Sequence, residues 1–198
     1  MNKKFYSYIL LASFAFMSLF LASCNDDEEP EEENLPEIIT DVTLTFTPEG
    51  GGTAVTATAT DPDGDGVADL AVSGPVNLAA NTTYTLAITI FNSIANENVT
   101  EEIEEEDDEH QFFFSFTDGA FSSPMGNGNV DNRDDAVNYE DEDGGGLPLG
   151  LETMWTTGDA ASGSFRVILK HQPDIKSSTS TSNDGESDFD ISWTLNIQ

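Results

Sequence analysis

Two histidines are the only imidazoles in the 198-residue sequence, His110 and His171, and their settings match. Each is followed by glutamine, and each stands at one end of an apolar run. His110 shares its parity with Phe112, Phe114 and Phe116; His171 shares its parity with Phe165, Val167 and Leu169. Residues two apart on a strand share a face, so both rings fall on apolar faces. If the two strands pair antiparallel, the start of one meets the end of the other, and both rings point inward at one rim of the fold. Imidazole suits zinc, copper or nickel, and the neighbouring acid Glu109 offers a further ligand. A shared ion requires ring nitrogens within about 5 Å, because zinc–nitrogen bonds are near 2.0–2.1 Å. The structural alternative is that each ring caps the core and bonds a backbone carbonyl.

Carboxylates supply the other candidates. Asp61, Asp63, Asp65 and Asp69 occupy positions 1, 3, 5 and 9 of a calcium-type loop, with Gly66 at position 6. Calcium favours six to eight oxygens, which closely spaced carboxylates provide. Position 12, where a bidentate glutamate belongs, is Val72, and strands flank the loop, so a plain Asp-Pro and Asp-Gly turn is the competing reading. Asp141-Glu142-Asp143-Gly144-Gly145-Gly146 echoes this loop with fewer acids. In Glu101–Glu109 every residue except Ile103 is acidic; this reads as a solvated hairpin tip that attracts cations diffusely.

The elements that must position these groups alternate with a period of two. Residues 42–47, 55–60, 84–90 and 189–197 place apolar side chains on one face and Thr, Asp, Ser or Asn on the other. That is the signature of antiparallel strands with one buried face. Further strands are expected at 97–104, 110–117, 134–140, 149–157 and 164–171, with no sustained helical stripe. Eight or nine short strands in about 160 residues predict an all-β antiparallel sandwich of Greek-key or immunoglobulin-like type, with a barrel as second choice.

The N-terminus places this domain. Lys3 and Lys4 precede an apolar run from Phe5 to Ala22, the layout of a secretory signal. Leu21-Ala22-Ser23-Cys24 resembles a bacterial lipobox, which implies cleavage before Cys24 and lipidation of its thiol. Asp26, Asp27, Glu28 and Glu29 follow, and such an acidic block resembles the surface-export signal of Bacteroidota lipoproteins. The expected organisation is a signal peptide at 1–23, a lipidated cysteine and acidic disordered tether at 24–36, and one β-sandwich domain at 37–198. The expected location is the outer membrane, on its cell-surface face, with the periplasmic face as alternative.

Cys24 is the sole cysteine, so lipidation leaves no thiol for a disulfide, zinc site or nucleophile. The processed chain carries four basic residues against 38 acids, a net charge of about −34, which repels nucleic acid and attracts cations. HExxH, GxSxG and phosphate-loop motifs are absent, so an enzyme is not expected.

The Cys24 lipobox, the Asp-Pro-Asp-Gly-Asp-Gly turn, "EEEDDEHQFFF" (104–114), "GLPLGLETMWTTG" (146–158) and "FRVILKHQP" (165–173) together resemble a group of small acidic flavobacterial lipoproteins. Genomes often label these as type 1 periplasmic binding fold proteins. That label denotes two α/β lobes, whereas length and strand periodicity here specify one β domain. The resemblance implies a surface or outer-membrane lipoprotein and brings no ligand residues with it. Two functions are expected. One is a non-enzymatic accessory protein that captures a ligand or metal beside an uptake receptor of the TonB-dependent kind. The other is a calcium-stabilised structural or adhesive module that binds protein or glycan.

Overall fold

Alternation becomes two facing sheets. The computed structural model describes residues 37–63, 70–131 and 136–198. Among these lie ten strands: β1 (Asp41–Pro48), β2 (Val55–Thr60), β3 (Ala71–Val72), β4 (Val76–Leu78), β5 (Thr83–Phe91), β6 (His110–Phe116), β7 (Phe121–Ser123), β8 (Glu152–Thr157), β9 (Ala161–His171) and β10 (Glu186–Ile197). They form a six-stranded sheet in the order β3-β2-β1-β5-β8-β7 and a four-stranded sheet in the order β4-β10-β9-β6. Every strand pair is antiparallel except β10 with β4, which is parallel. The all-β sandwich expected from the sequence is the fold observed.

Aromatic rings fill the space between the sheets. Trp155 of β8 meets Phe165 of β9 edge-on at 5.0 Å and Phe114 of β6 at 5.4 Å. Phe46 of β1 reaches Phe165 at 5.7 Å, so two strands of each sheet converge on one cluster. Edge-to-face packing suits the ring quadrupoles and adds about 0.5–1.5 kcal/mol per pair beyond area burial.

Two expected strands are corrected. Residues 97–104 are largely helical: α1 spans Val99–Glu105. Val99 and Ile103, one turn apart, are its buried pair, which gives a single apolar ridge too short to read as a stripe. Asn98 Nδ2 bonds Glu101 Oε1 at 2.7 Å, and Glu101 and Glu102 lie in the first turn, where the helix dipole favours acids. Thr100 fixes α1 to β5, accepting from Ile90 N (2.7 Å) and donating to Ile90 O (3.1 Å). The acidic run is therefore a helix and turn instead of a hairpin tip. The described part of 134–140 forms no strand; Tyr139 makes an isolated bridge with Thr153. Its hydroxyl donates to Phe112 O at 2.6 Å and accepts from Asn129 Nδ2 at 2.8 Å, so it serves the edge of β6 through its side chain.

No helix among the described residues is long and apolar enough to cross a membrane. Cys24 and the acids Asp26, Asp27, Glu28 and Glu29 lie outside the described residues.

Candidate metal centre

Strand register brings the two histidines together. β6 and β9 pair antiparallel with His110 directly opposite His171, so the start of one strand meets the end of the other. Both side chains are buried. The rings stack in parallel, 4.5 Å between centroids and 5° between planes. One ligand atom each from Glu37, Glu106, His110 and His171 lies within 4.8 Å of all the others. That falls within the roughly 5 Å limit, although one ion spans only about 4.2–4.4 Å, so binding must draw the widest pair together and turn one of the two parallel rings.

Four separate pieces of chain deliver these groups. The turn after α1 carries Glu106 and Glu109 into β6. Glu106 O accepts from Glu109 N (3.0 Å) and from His110 Nδ1 (3.2 Å). A carbonyl can only accept, so this contact places a proton on Nδ1 and leaves Nε2 as the free position of a neutral ring. His171 Nε2 donates to Glu109 Oε2 at 3.3 Å. Glu109 thus lies outside the cluster of four, as an acid that orients His171, the usual partner of a ligating imidazole.

Glu37 arrives on the segment that leads into β1. Thr40 anchors that segment: its N–H donates to Phe91 O (3.1 Å) and its O accepts from Asp61 N (2.7 Å). Glu37 Oε1 sits 3.4 Å from His110 Nε2.

Asp188 comes from a β-bulge. Ser187 pairs with Lys170 and Phe189 with Leu169, so Asp188 is an extra residue between them. A bulge re-aims a side chain, and here both Asp188 and Phe189 are buried. Asp188 Oδ2 lies 3.7 Å from His110 Nε2. The turn before β10 needs Gly185, with φ +73°, because a Cβ there would meet His171 O at 2.1 Å.

The result is a buried group with unmet polar capacity. Glu37 Oε2, His110 Nε2 and Asp188 Oδ2 are all buried without a hydrogen bond. Buried atoms of this kind are uncommon in folded proteins and mark places where a proton, water or ion belongs. Burial pushes the Asp188 carboxyl up, the Glu37 charge adds to the push, and the group ionises only at about 7. Burial alone would lower His110, but Glu37 and Asp188 outweigh it and raise the imidazole above its ordinary value. Burial opposes ionisation of Glu37 too, yet its contact with His110 holds its carboxyl below the usual range.

The aspartate loops look different. Asp61, just beyond β2, is buried, and its Oδ1 accepts from Asp63 N at 3.3 Å, the bond of an Asx turn. Asp65 and Asp69 lie outside the described residues. In the second loop, Asp143 Oδ1 accepts from Gly145 N (2.8 Å) and Leu147 N (2.9 Å), while Oδ2 takes Lys176 Nζ at 2.9 Å. The cation that this loop holds is a lysine of the same chain. Asp141 Oδ1 and Oδ2 accept from the amides of Gly150 (2.7 Å) and Glu152 (3.0 Å).

A scan against protein-family models gives no match to this chain, and neither a search of curated proteins nor one of solved structures finds a match.

Proposed function

We propose that the domain captures a divalent transition-metal ion, zinc or copper, at the rim where β6 and β9 meet. The observation that carries this reading is the stacked pair His110 and His171 with Glu37 and Glu106 inside one 4.8 Å cluster. Two imidazoles and two carboxylates make a mixed nitrogen and oxygen donor set, which suits zinc and copper better than calcium or magnesium. The strongly negative surface raises the local concentration of cations around that rim. With the lipobox at Cys24 and the acids that follow it, this fits a non-enzymatic lipoprotein at the outer face of the outer membrane, collecting metal for an uptake receptor.

The test is the elemental content of the full-length protein purified in detergent, followed by calorimetric titration with zinc and with copper. Near-stoichiometric binding is expected, and His110→Ala and His171→Ala should each weaken it by at least about 100-fold, the loss of a ligand exceeding that of an outer partner. A wild type that binds neither metal, or a mutant that binds as tightly as wild type, sinks the reading.

A further inference from the structure

The four-residue cluster omits the most deeply buried acid at the rim. Asp188 has a side chain only 2% exposed, is carried inward by the bulge, and has an unbonded oxygen facing His110 Nε2. Glu106, by contrast, is 49% exposed and approaches the other ring nitrogen, Nδ1, at 3.9 Å. That nitrogen is already committed to the Glu106 carbonyl.

The distances around Nε2 discriminate further. Two ligands at about 2.0–2.2 Å from one ion and at a tetrahedral angle lie about 3.4 Å apart. His110 Nε2 and Glu37 Oε1 are 3.4 Å apart, and Nε2 and Asp188 Oδ2 are 3.7 Å apart. Both acids thus stand near the ligand–ligand spacing of one coordination sphere relative to Nε2. Ligand atoms separated by 4.8 Å must instead draw together, because twice a metal–ligand bond is only about 4.2–4.4 Å.

Accepting that the rim binds a metal, we propose that the ion's seat is His110 Nε2, Glu37 and Asp188, closed by His171 as the fourth ligand, with Glu106 outside the coordination sphere. Glu37 leads into β1 of the six-stranded sheet, whereas His110 and Asp188 belong to the four-stranded sheet. The ion therefore ties the two sheets at their common rim and holds the segment entering the domain. Two carboxylates neutralise a divalent cation here, which relieves the burial of two like charges beside each other.

Zinc alone is the probe, titrated into the full-length protein in detergent. Asp188→Asn keeps the shape and removes the charge; it should lose about 100-fold in zinc affinity, whereas Glu106→Gln should stay within about threefold of wild type. Nitrogen NMR of the histidine rings gives a readout independent of any variant's folding. Zinc should move the His110 Nε2 resonance and leave Nδ1 protonated. Cleavage by a glutamate-specific protease at Glu37, and amide exchange near Glu37–Thr40, should slow on zinc addition. If Asp188→Asn binds like wild type while Glu106→Gln fails, or if Nδ1 is the nitrogen that moves, the seat is wrong and the metal reading survives with Glu106 as ligand. If wild type binds no zinc, both fall, and the trio holds a proton instead.

Discussion

Two buried ionic groups in this domain solve the same problem in opposite ways. Asp143 and Lys176 form a closed pair: side chains 2% and 1% exposed, three donors on the carboxylate, and the ammonium also donating to Asp107 O at 2.5 Å. Around His110, Glu37 and Asp188 bring two acids to one imidazole and leave three buried atoms without hydrogen bonds. Burying charge is tolerated when partners repay the lost hydration, and only the first group contains all its partners. A fold that satisfies one acid completely, yet leaves another short of a donor, has left room for something from outside.

The electrostatics follow the same division. Burial pushes Asp143 up, but the Leu147 amide and the Lys176 ammonium outweigh it and hold its carboxyl below the ordinary range. Asp188 is displaced the other way, to about 7. A lowered carboxylate stabilises the fold above its unfolded pKa, and that contribution disappears as the pH falls through the folded value. A raised one does the reverse: the folded state keeps a proton that the unfolded chain has released, so stability declines as the pH rises from about 4 to 7.

The largest effect is expected at the closed pair. Lys176→Ala strands Asp143 in a buried site and should destabilise the domain by about 3–5 kcal/mol in urea unfolding, with or without zinc. The loss should shrink as the pH falls into the acid range, because burial without Lys176 favours protonation of Asp143. A loss under about 1 kcal/mol at neutral pH would mean that solvent reaches this pair and that the contrast with His110 is not one of satisfaction.

Next comes the open group, in metal-free protein. Asp188→Asn removes a buried charge, and the new amide can donate to Glu37. The difference from wild type should be close to zero near pH 4 and grow to a stabilisation of about 1–3 kcal/mol above pH 7, the usual cost of an unsatisfied buried polar group. Saturating zinc should reverse the sign, because wild type then gains binding energy that the variant lacks. Unfolding curves at several pH values with a chelator, then with zinc, check both halves. A variant less stable than wild type at every pH without metal would show that Asp188 is already satisfied.

The difference between the groups also explains what the sequence disclosed. The histidines were legible because strand parity and chain direction alone bring His110 opposite His171. Asp188 was hidden by the same rule: simple alternation with Phe189 turns it outward, and only the bulge at Ser187–Phe189 brings it in. Glu37 was hidden because it precedes the first strand, and its contact with His110 exists only once the sheets have packed. The helix left a faint signal, Asn98 three residues before Glu101 and Val99 four before Ile103, which the surrounding acids masked. The run from Asp141 to Gly146 echoes a cation loop in the sequence, and the Asp143 carboxylate does hold a cation. Nothing local could name Lys176, more than thirty residues downstream, as that cation.

The smallest effect belongs to a third ion pair, which separates burial from pairing. Arg166 and Asp190 meet diagonally across β9 and β10, with two bonds of 2.7 and 2.5 Å, but their side chains are 40% and 44% exposed. Geometrically this is the best-formed ion pair of the three, bidentate and short. Water nevertheless solvates both partners before and after folding, so little is gained by pairing and little is lost by separation. Arg166→Ala should cost only about 0.2–1 kcal/mol, and raising salt to 1 M should erase most of that difference. The same salt should leave the Lys176→Ala penalty nearly intact, because buried charges are poorly screened. If instead Arg166→Ala costs as much as Lys176→Ala, short bonds and not burial set the energetics of these groups. The unbonded atoms around His110 would then be a lesser strain than their burial implies.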